Sequence, residues 1–201
     1  MCTRTRPIWL ALGGLWLSAI IVGLRVLLTY ETTPGDKPQT PTSESWPANS
    51  ALNRVAGRKT LVVIAHPRCG CTRATIGELE KVLARVTEAP VTFMLFLNIT
   101  FADRDPNKGA LWRAASALPG VQIFTDQSGA EARLFGASTS GQTLLFDERG
   151  RLLFRGGITS SRGHAGDNAG SDAVINLLNH KPPARQSSFV FGCALFADRG
   201  D

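Results

Sequence analysis

An uncharged apolar run near the N-terminus, residues 8–24, dictates one element of the architecture. Arg25 interrupts the run, and residues 26–30 are again largely apolar. As an α-helix that rises about 1.5 Å per residue, the whole stretch spans the roughly 30 Å hydrocarbon core of a bilayer. Trp9 and Tyr30 then lie at the two interfaces, and the Arg25 side chain reaches the headgroups. Residues 8–30 are therefore predicted to be a transmembrane helix.

The residues that flank this run favour an uncleaved anchor in one orientation. Arg4 and Arg6 precede it without an acidic residue, so the positive-inside tendency places the N-terminus in the cytoplasm and the remaining chain outside. A cleaved signal peptide is the alternative, but residues 28–31 offer no small-x-small cleavage site. Either outcome exports the rest of the chain to an oxidising compartment. Cys2 precedes the run and cannot be a lipoprotein cysteine, and we assign it no catalytic role.

Composition divides the exported part into three segments. Residues 31–57 are rich in Pro, Ser and Thr and lack apolar periodicity, which predicts an extended tether. Residues 58–185 are predicted to form one domain, because a length of this order is common for a single core, and residues 186–201 form a C-terminal tail. The net charge of +6 is scattered among carboxylates with no aromatic-interleaved basic stripe, so nucleic-acid binding is not expected.

Strand and helix patterns alternate along the predicted domain. Apolar runs rich in β-branched and aromatic residues predict strands, and apolar residues at helical spacing predict helices. In chain order the prediction is strand 60–65, helix 72–85, strand 91–98, helix 109–118, strand 121–124, helix 130–135, strands 143–146 and 152–154, and helix 172–179. Glu78, Glu80 and Lys81 are predicted on the exposed face of the first of these helices. Helices between the early strands and a hairpin later on predict an α/β domain with a mixed sheet.

The tripeptide Cys69-Gly70-Cys71 lies between the first predicted strand and the helix that follows it. A helix N-terminus presents unpaired N–H groups and a partial positive charge, so a cysteine there favours the thiolate, the form that attacks disulfides and binds soft metals. Of the four cysteines only these two are neighbours, a pattern that indicates redox or metal chemistry rather than a disulfide-stapled scaffold. Cys69 and Cys71 are the candidate catalytic residues.

A disulfide between Cys69 and Cys71 would close a very small ring. Such a ring requires local strain, which Gly70 eases because it accepts backbone angles that other residues avoid. A strained disulfide is easily reduced, so the pair is predicted to be relatively oxidising. Cys69, first at the turn and nearer solvent, is predicted to be the attacking thiol and Cys71 the resolving one. Arg68 and Arg73 are predicted to favour the thiolate further.

Three more residues each have two interpretations. His66 is either a capping or packing residue, or an imidazolium that stabilises the thiolate or relays a proton. His164 belongs to a Gly-rich stretch, residues 156–170, that is predicted to be a surface loop and alternatively covers the cysteine site. Cys193, in the apolar tail, is either a buried thiol or a third redox residue that folds back onto Cys69.

The order of predicted elements resembles the thioredoxin fold, and specifically the membrane-tethered bacterial branch of the TlpA and ResA families. Residues 126–137 (DQSGAEARLFGA) are similar to the segment that leads from the central strand into a short helix in that branch, and residues 143–151 (TLLFDERGR) resemble the hairpin that follows. Residues 66–74 (HPRCGCTRA), which include Pro67, together with SRGHAGDN from Ser161 and VFGC ending at Cys193, resemble the RedB-type subset.

This resemblance implies a thiol-disulfide oxidoreductase that faces the periplasm from a single-pass anchor in the bacterial inner membrane. It implies a redox-active disulfide with no other cofactor, and thiols or disulfides of exported proteins as partners. Two departures concern the site itself. Thioredoxin relatives have Cys-x-x-Cys, with one more residue between the thiols, and a cis-proline just before the hairpin strand, where this chain has Gln142 after Ser140 and Gly141. An altered substrate-facing loop is therefore expected.

Two other functions are open on the sequence alone. A thioredoxin-fold metallochaperone similar to the SCO type would hold Cu(I) or Zn(II) with Cys69, Cys71 and His66 or His164, since thiolate and imidazole suit both ions. In a non-catalytic thioredoxin-like domain the two cysteines would only brace the turn, although so short a disulfide loop yields little entropic stabilisation.

Overall fold

The computed structural model describes residues 6–36, 44–98 and 109–196, and the chain forms two compact units that divide between residues 33 and 34. Cys2 and Arg4 lie outside the described residues. The first unit is helix α1 (Arg6–Thr32). Its stretch Ile8–Thr32 is long and apolar enough to cross a membrane by length and composition, a test that a signal sequence also passes. The predicted N-terminal apolar helix is confirmed, and its role as an anchor stays a prediction.

The second unit is built on a mixed sheet of five strands in the order β3-β2-β1-β4-β5. Its elements are β1 (Thr60–Ala65), α2 (Cys71–Ala84), β2 (Val91–Asn98), α3 (Ala110–Ser116), β3 (Val121–Gln127), α4 (Ala130–Leu134), β4 (Gln142–Phe146), β5 (Leu152–Gly157) and α5 (Ala169–Leu178). The first three strands run parallel, whereas β4 is antiparallel to both β1 and β5. The predicted α/β class with a mixed sheet is confirmed.

Strand β1 lies at the centre of the sheet and is buried on both faces. Leu61, Val63 and Ala65 belong to a core formed with α2, α3 and α5, whereas Val62 and Ile64 belong to a second core on the opposite face. This double burial explains why the strand is a continuous apolar run rather than an alternating one. Because β1 ends in the middle of the sheet, the cysteine turn that follows it is surrounded by other segments.

The segment before β1 packs against the domain. The Trp46 ring stands edge-on to Phe135 and Phe146, with ring centroids 5.1 Å apart in both pairs. Leu52 is only 4% exposed and belongs to the second core. The prediction of an extended tether as far as residue 57 is therefore wrong for residues 44–52, because their apolar side chains cover a sheet face that would otherwise contact water.

Glu78 differs most from its predicted position, since it is 2% exposed rather than on the outer face of α2. Its carboxylate accepts hydrogen bonds from the Gly166 N–H (2.8 Å) and from the Lys81 ammonium (2.7 Å). These donors compensate the cost of burying a charge, which the helical periodicity alone does not reveal. The contact fixes the loop between β5 and α5 against α2. At the end of that loop the Asn168 side chain accepts the Ser171 N–H, so α5 begins earlier than predicted.

Candidate functional site

The cysteine turn joins the central strand to α2. The Cys69 N–H donates to the His66 carbonyl (3.1 Å), which closes a tight turn with Pro67 in its second position. The fixed φ of proline suits that position. The Thr72 hydroxyl donates to the same carbonyl (3.1 Å), and α2 begins at Cys71. The turn therefore holds Cys69 at the N-terminal end of α2.

Three cysteine side chains meet at this turn. The Cys193 Sγ lies 2.7 Å from the Cys69 Sγ, and the Cys71 thiol also hydrogen-bonds to the Cys69 sulfur. Cys69 is 1% exposed, whereas Cys71 and Cys193 are partly exposed. The expectation that Cys69 lies nearer to solvent than Cys71 is wrong, because Cys193 covers it. The structure places Cys193 against Cys69, which is the position required if Cys193 folds back as a third redox residue.

The surroundings of Cys69 favour its charged form. Burial raises the pKa of its thiol, but hydrogen bonds from the Cys193 thiol and from the backbone N–H groups of Cys193, Cys71 and Thr72 outweigh burial, and the pKa is lowered. Burial and the neighbouring Cys69 sulfur shift the other two thiols in the opposite direction. They raise the pKa of Cys71, and they raise the pKa of Cys193 to about 12. The site therefore favours the thiolate at Cys69, between two thiol donors, over a thiolate at Cys71 or Cys193.

The segment that carries Cys193, residues 190–196, is called the tail segment. It pairs in antiparallel fashion with residues 138–140, which immediately precede Gly141 and β4. The Ser140 N–H donates to the Cys193 carbonyl (2.9 Å), and the Leu195 N–H donates back to the carbonyl of residue 138 (2.8 Å). The Leu195 side chain is 1% exposed and belongs to the second core. Backbone pairing and an apolar anchor thus seat the tail segment beside the cysteine turn.

Two further residues fix the tail segment next to the sulfurs. Gly192 approaches the Ser140 carbonyl so closely that a Cβ atom there would collide with it. The Arg162 guanidinium donates to the Gly192 carbonyl, and its positive charge partly offsets the raised pKa values of Cys71 and Cys193. Sequence analysis did not single out Arg162. Its sequence signals were its place in the Gly-rich stretch and in the segment SRGHAGDN, and neither shows that it approaches the sulfurs, because that depends on how the loop after β5 folds.

His66 lies beside the turn as a neutral imidazole. Burial and the nearby charge of Arg68 lower its pKa, and its Nδ1 accepts the Arg68 N–H (3.2 Å). Its own backbone N–H donates to the Ser140 hydroxyl (2.9 Å). The structure therefore gives no support to an imidazolium at His66 that stabilises the thiolate, and the capping or packing interpretation describes its contacts.

The arginines and the glycine of the cysteine motif contribute less than expected. Arg68 and Arg73 are exposed, and the groups that lower the pKa of Cys69 most are hydrogen-bond donors rather than these two cations. Gly70 has φ −59° and ψ −31°, an ordinary helical conformation, and a Cβ there would have open space. Its conformational freedom is not used in this form of the site.

Ser140 is a site residue that sequence analysis missed. Its hydroxyl contacts both the His66 N–H and the Thr72 hydroxyl (3.1 Å), and its backbone N–H holds the tail segment. Gln142 begins β4 and is buried, and its side-chain amide donates to the Gly136 carbonyl (3.4 Å) rather than toward the cysteines. No cis peptide bond occurs in the described ranges. The only sequence signal for Ser140 was its position just before the missing proline.

In both histidines of the metal hypothesis, Nδ1 faces a backbone group rather than a sulfur. His164 is exposed, with its Nδ1 2.9 Å from the Arg162 carbonyl, and the His66 Nδ1 faces a backbone N–H. Within the part of the chain that the structure describes, no group of three or more His, Cys, Asp or Glu side chains is arranged to hold a metal ion. The arrangement of His66, His164, Cys69 and Cys71 therefore gives no support to a copper or zinc site.

Comparison with known proteins gives a fold but no family. No protein-family model matches the sequence, and no curated protein matches it either. An uncharacterized conserved protein from Geobacillus kaustophilus is 15% identical, with a TM-score of 0.58 over 85% of this chain and 95% of that chain. A hypothetical protein from Sinorhizobium meliloti is 20% identical, with a TM-score of 0.51 over 72% of this chain and 82% of that one.

The exposed lipoprotein thioredoxin of Streptococcus pneumoniae is also similar, at 15% identity and a TM-score of 0.44 over 62% of this chain and 85% of that chain. The fold is thioredoxin-like. The strand order, the antiparallel final pair and the cysteine turn after the central strand are those expected from the resemblance. This topology confirms the predicted fold class and leaves the activity to be argued from the site.

The first prediction concerns the charge on Cys69. In reduced protein that also carries Cys2→Ser, the ultraviolet absorbance of the thiolate should appear at lower pH than in the same protein with Cys193→Ala. Among the groups that lower the pKa of Cys69, the Cys193 thiol has the largest effect, and alanine removes it, so the midpoint moves up.

The lowered pKa of Cys69 also makes the stability of the reduced protein depend on pH. Because folding lowers the pKa of Cys69, its thiolate stabilises the reduced protein above the unfolded pKa, and the gain is lost as the pH falls through the folded pKa. Cys193→Ser keeps a hydroxyl donor and should move the midpoint less than Cys193→Ala. An absorbance midpoint that stays unchanged in Cys193→Ala would contradict the hydrogen-bond assignment.

Proposed function

We propose that this protein is a membrane-anchored thiol-disulfide oxidoreductase that acts on exported proteins, with Cys69 as the attacking thiol and Cys71 as its redox partner. The observation that carries the proposal is the environment of Cys69, a thiol of lowered pKa at a helix N-terminus with a second thiol hydrogen-bonded to its sulfur. A lowered pKa is one mark of a reactive cysteine, and access of a partner to the buried Cys69 sulfur requires the tail segment to move.

The exchange needs only the residues already described. The Cys69 thiolate attacks one sulfur of a partner disulfide, and the other partner sulfur leaves as a thiolate and takes up a proton. Cys71 then loses its proton and attacks the Cys69 sulfur of the mixed disulfide, which releases the second partner sulfur. Two electrons pass from the cysteine pair to the partner, the Cys71 proton is balanced by the one that the second partner sulfur takes up, and the first partner sulfur takes its proton from solvent. The reverse sequence delivers a disulfide. The redox-active disulfide is the only cofactor that this chemistry requires.

The location of this activity follows from α1. As an uncleaved anchor, the helix would hold the domain at the periplasmic face of a bacterial inner membrane, where disulfides persist. We place the chain in the TlpA/ResA-type branch, close to RedB-type proteins, because residues 66–74 and 143–151 share that pattern. Its partners would be thiols or disulfides of other exported proteins.

Redox titration of the full-length protein in detergent tests this function. The protein is equilibrated with glutathione buffers of graded composition, its thiols are trapped, and the number of free thiols is counted. We expect a reversible two-electron transition, unchanged in Cys2→Ser and absent in Cys69→Ser. Cysteines that stay oxidised in millimolar dithiothreitol, or reduced in glutathione disulfide alone, would refute the proposed oxidoreductase.

A further inference from the structure

We propose that Cys193 is a third redox-active thiol, which forms a reversible disulfide with Cys69 in place of Cys71 and thereby fastens the tail segment over the site. The inference deepens the proposed function and rests on it, since the oxidising equivalents come from the same partner disulfides. It assigns a regulatory role to the C-terminal tail, which the Cys69–Cys71 pair does not require.

The first support is the approach of the two sulfurs. Cys69 and Cys193 are separated by 124 positions in sequence, yet their Sγ atoms lie 2.7 Å apart. A disulfide brings two sulfurs to about 2.0 Å, so a small movement of either side chain suffices. The two thiols are not bonded to each other here, and only their Sγ atoms need to move for a bond to form.

The second support is the way in which the tail segment is seated. Cys193 does not sit at the end of a loose chain, because its carbonyl accepts the Ser140 N–H and Leu195 is buried two residues farther on. The close approach of Gly192 to the Ser140 carbonyl brings the tail backbone against the loop before β4. The Arg162 guanidinium holds the Gly192 carbonyl from the other side. Four independent contacts thus direct Cys193 toward a single sulfur.

Formation of the Cys69–Cys193 disulfide requires no oxidant other than the partner disulfide. After Cys69 has formed a mixed disulfide with the partner, Cys193 loses its proton and attacks the Cys69 sulfur, and the partner sulfur leaves as a thiolate that takes up a proton. Reopening is an intramolecular exchange in which Cys71 loses its proton and attacks the Cys69 sulfur, the Cys69–Cys71 bond forms as the Cys69–Cys193 bond breaks, and Cys193 leaves as a thiolate that takes up a proton. No net oxidation accompanies this second exchange, because one disulfide replaces another.

Cys71 is suited to the opening step because it is more exposed than Cys69 and contacts the same sulfur. With Cys193 bonded to Cys69, the tail segment covers the attacking sulfur and a partner protein cannot reach it. With Cys71 bonded instead, the tail segment is held only by noncovalent contacts. The two disulfides therefore define a closed and an openable form of the oxidised enzyme.

Disulfide mapping of the full-length protein in detergent tests the inference. The protein is oxidised in the same graded glutathione buffers, trapped with an alkylating reagent, and digested with trypsin without reduction. Cleavage after Arg68, Arg73 and Arg185 separates the peptide that holds Cys69 and Cys71 from the peptide that holds Cys193. Mass spectrometry then detects whether the two are linked. The variants are Cys71→Ser, which leaves Cys69 as the only linkage point, Cys193→Ser, and Cys2→Ser as the matched control.

We expect linked peptides in the wild type, in Cys2→Ser and in Cys71→Ser, their loss under reducing buffers, and their absence in Cys193→Ser. A wild type that titrates reversibly but never links the peptides, together with a Cys71→Ser variant that no longer titrates, would overturn the inference and leave the proposed function standing. Linked peptides that persist in millimolar dithiothreitol would also overturn it, since the bond would be a permanent brace. If no cysteine changes oxidation state in any variant, both proposals fail.

Discussion

Replacement of Cys69 by serine should slow catalysed disulfide exchange by about a hundredfold or more. Cys69 is the sulfur that both other thiols contact, and it is the one cysteine of the site whose pKa is lowered. In Cys69→Ser the Cys69 sulfur no longer raises the pKa of Cys71 and of Cys193, but burial still does, so neither remaining thiol gains an environment that favours the thiolate as that of Cys69 does. The measurement is the turnover of a fluorescence-quenched peptide disulfide in the presence of excess dithiothreitol, after subtraction of the uncatalysed rate.

Serine variants of the other three cysteines test whether this loss of activity is specific to Cys69. Cys71→Ser and Cys193→Ser each remove one of the two thiols that can resolve the mixed disulfide, so each should keep the first attack and lose much less activity. Cys2→Ser should match the wild type. Turnover in Cys69→Ser within a few-fold of the wild type would show that another cysteine is the attacking thiol.

Substitution of Gly192 by valine should expose Cys69. The added side chain collides with the Ser140 carbonyl, and overpacking of this kind costs about 1–3 kcal/mol. The cost falls on the seated tail segment, so the population of the open form should rise roughly tenfold or more. Alkylation of Cys69 in the reduced protein should accelerate by the same factor, because Cys69 is 1% exposed while the tail segment is seated. Peptide mapping after timed alkylation reads the rate.

Ala194→Val is the matched control for this experiment. Ala194 is exposed and lies two residues farther along the same tail segment, so the same side chain there meets solvent. In Ala194→Val, the alkylation rate of Cys69 should stay near that of the wild type. Equal rates in Gly192→Val and in the wild type would mean that the tail segment does not protect the sulfur.

The fold followed from the sequence because its strongest signals are local. The apolar run of β1 and the helical spacing of Ile76, Leu79 and Val82 in α2 both depend on a few neighbouring residues, and all three of these side chains are buried as that spacing requires. Two local patterns misled the prediction. Proline and serine content suggested a tether where Trp46 packs against two phenylalanines, and helical spacing placed Glu78 outside.

The candidate site was only half predictable. Cys69 and Cys71 are adjacent in sequence and at a helix start, whereas Ser140, Arg162 and Cys193 reach them through long-range folding. Such contacts depend on how β4, the loop after β5 and the tail segment pack, and no short-range periodicity encodes that packing. The same reason explains why the expected exposure of Cys69 was wrong.

The missing cis-proline has a physical explanation in the loop before β4. Ser140, Gly141 and Gln142 all use their backbone N–H groups, which donate to the carbonyls of Cys193, Ile64 and Thr139 respectively. Proline has no N–H, so at any of these positions it would remove one of those bonds. The loop is held instead by three consecutive donors, one of which seats the tail segment.

The tail segment is covalently part of the surface that it covers, so it competes with any partner as if it were present at roughly millimolar concentration. A free peptide or small thiol at micromolar levels therefore displaces it rarely. A protein confined to the same membrane face would meet the domain at a comparably high local concentration. If α1 is an uncleaved anchor, as proposed, tethering of both participants would act as a filter, in which location at the same membrane rather than intrinsic affinity decides which disulfides are exchanged.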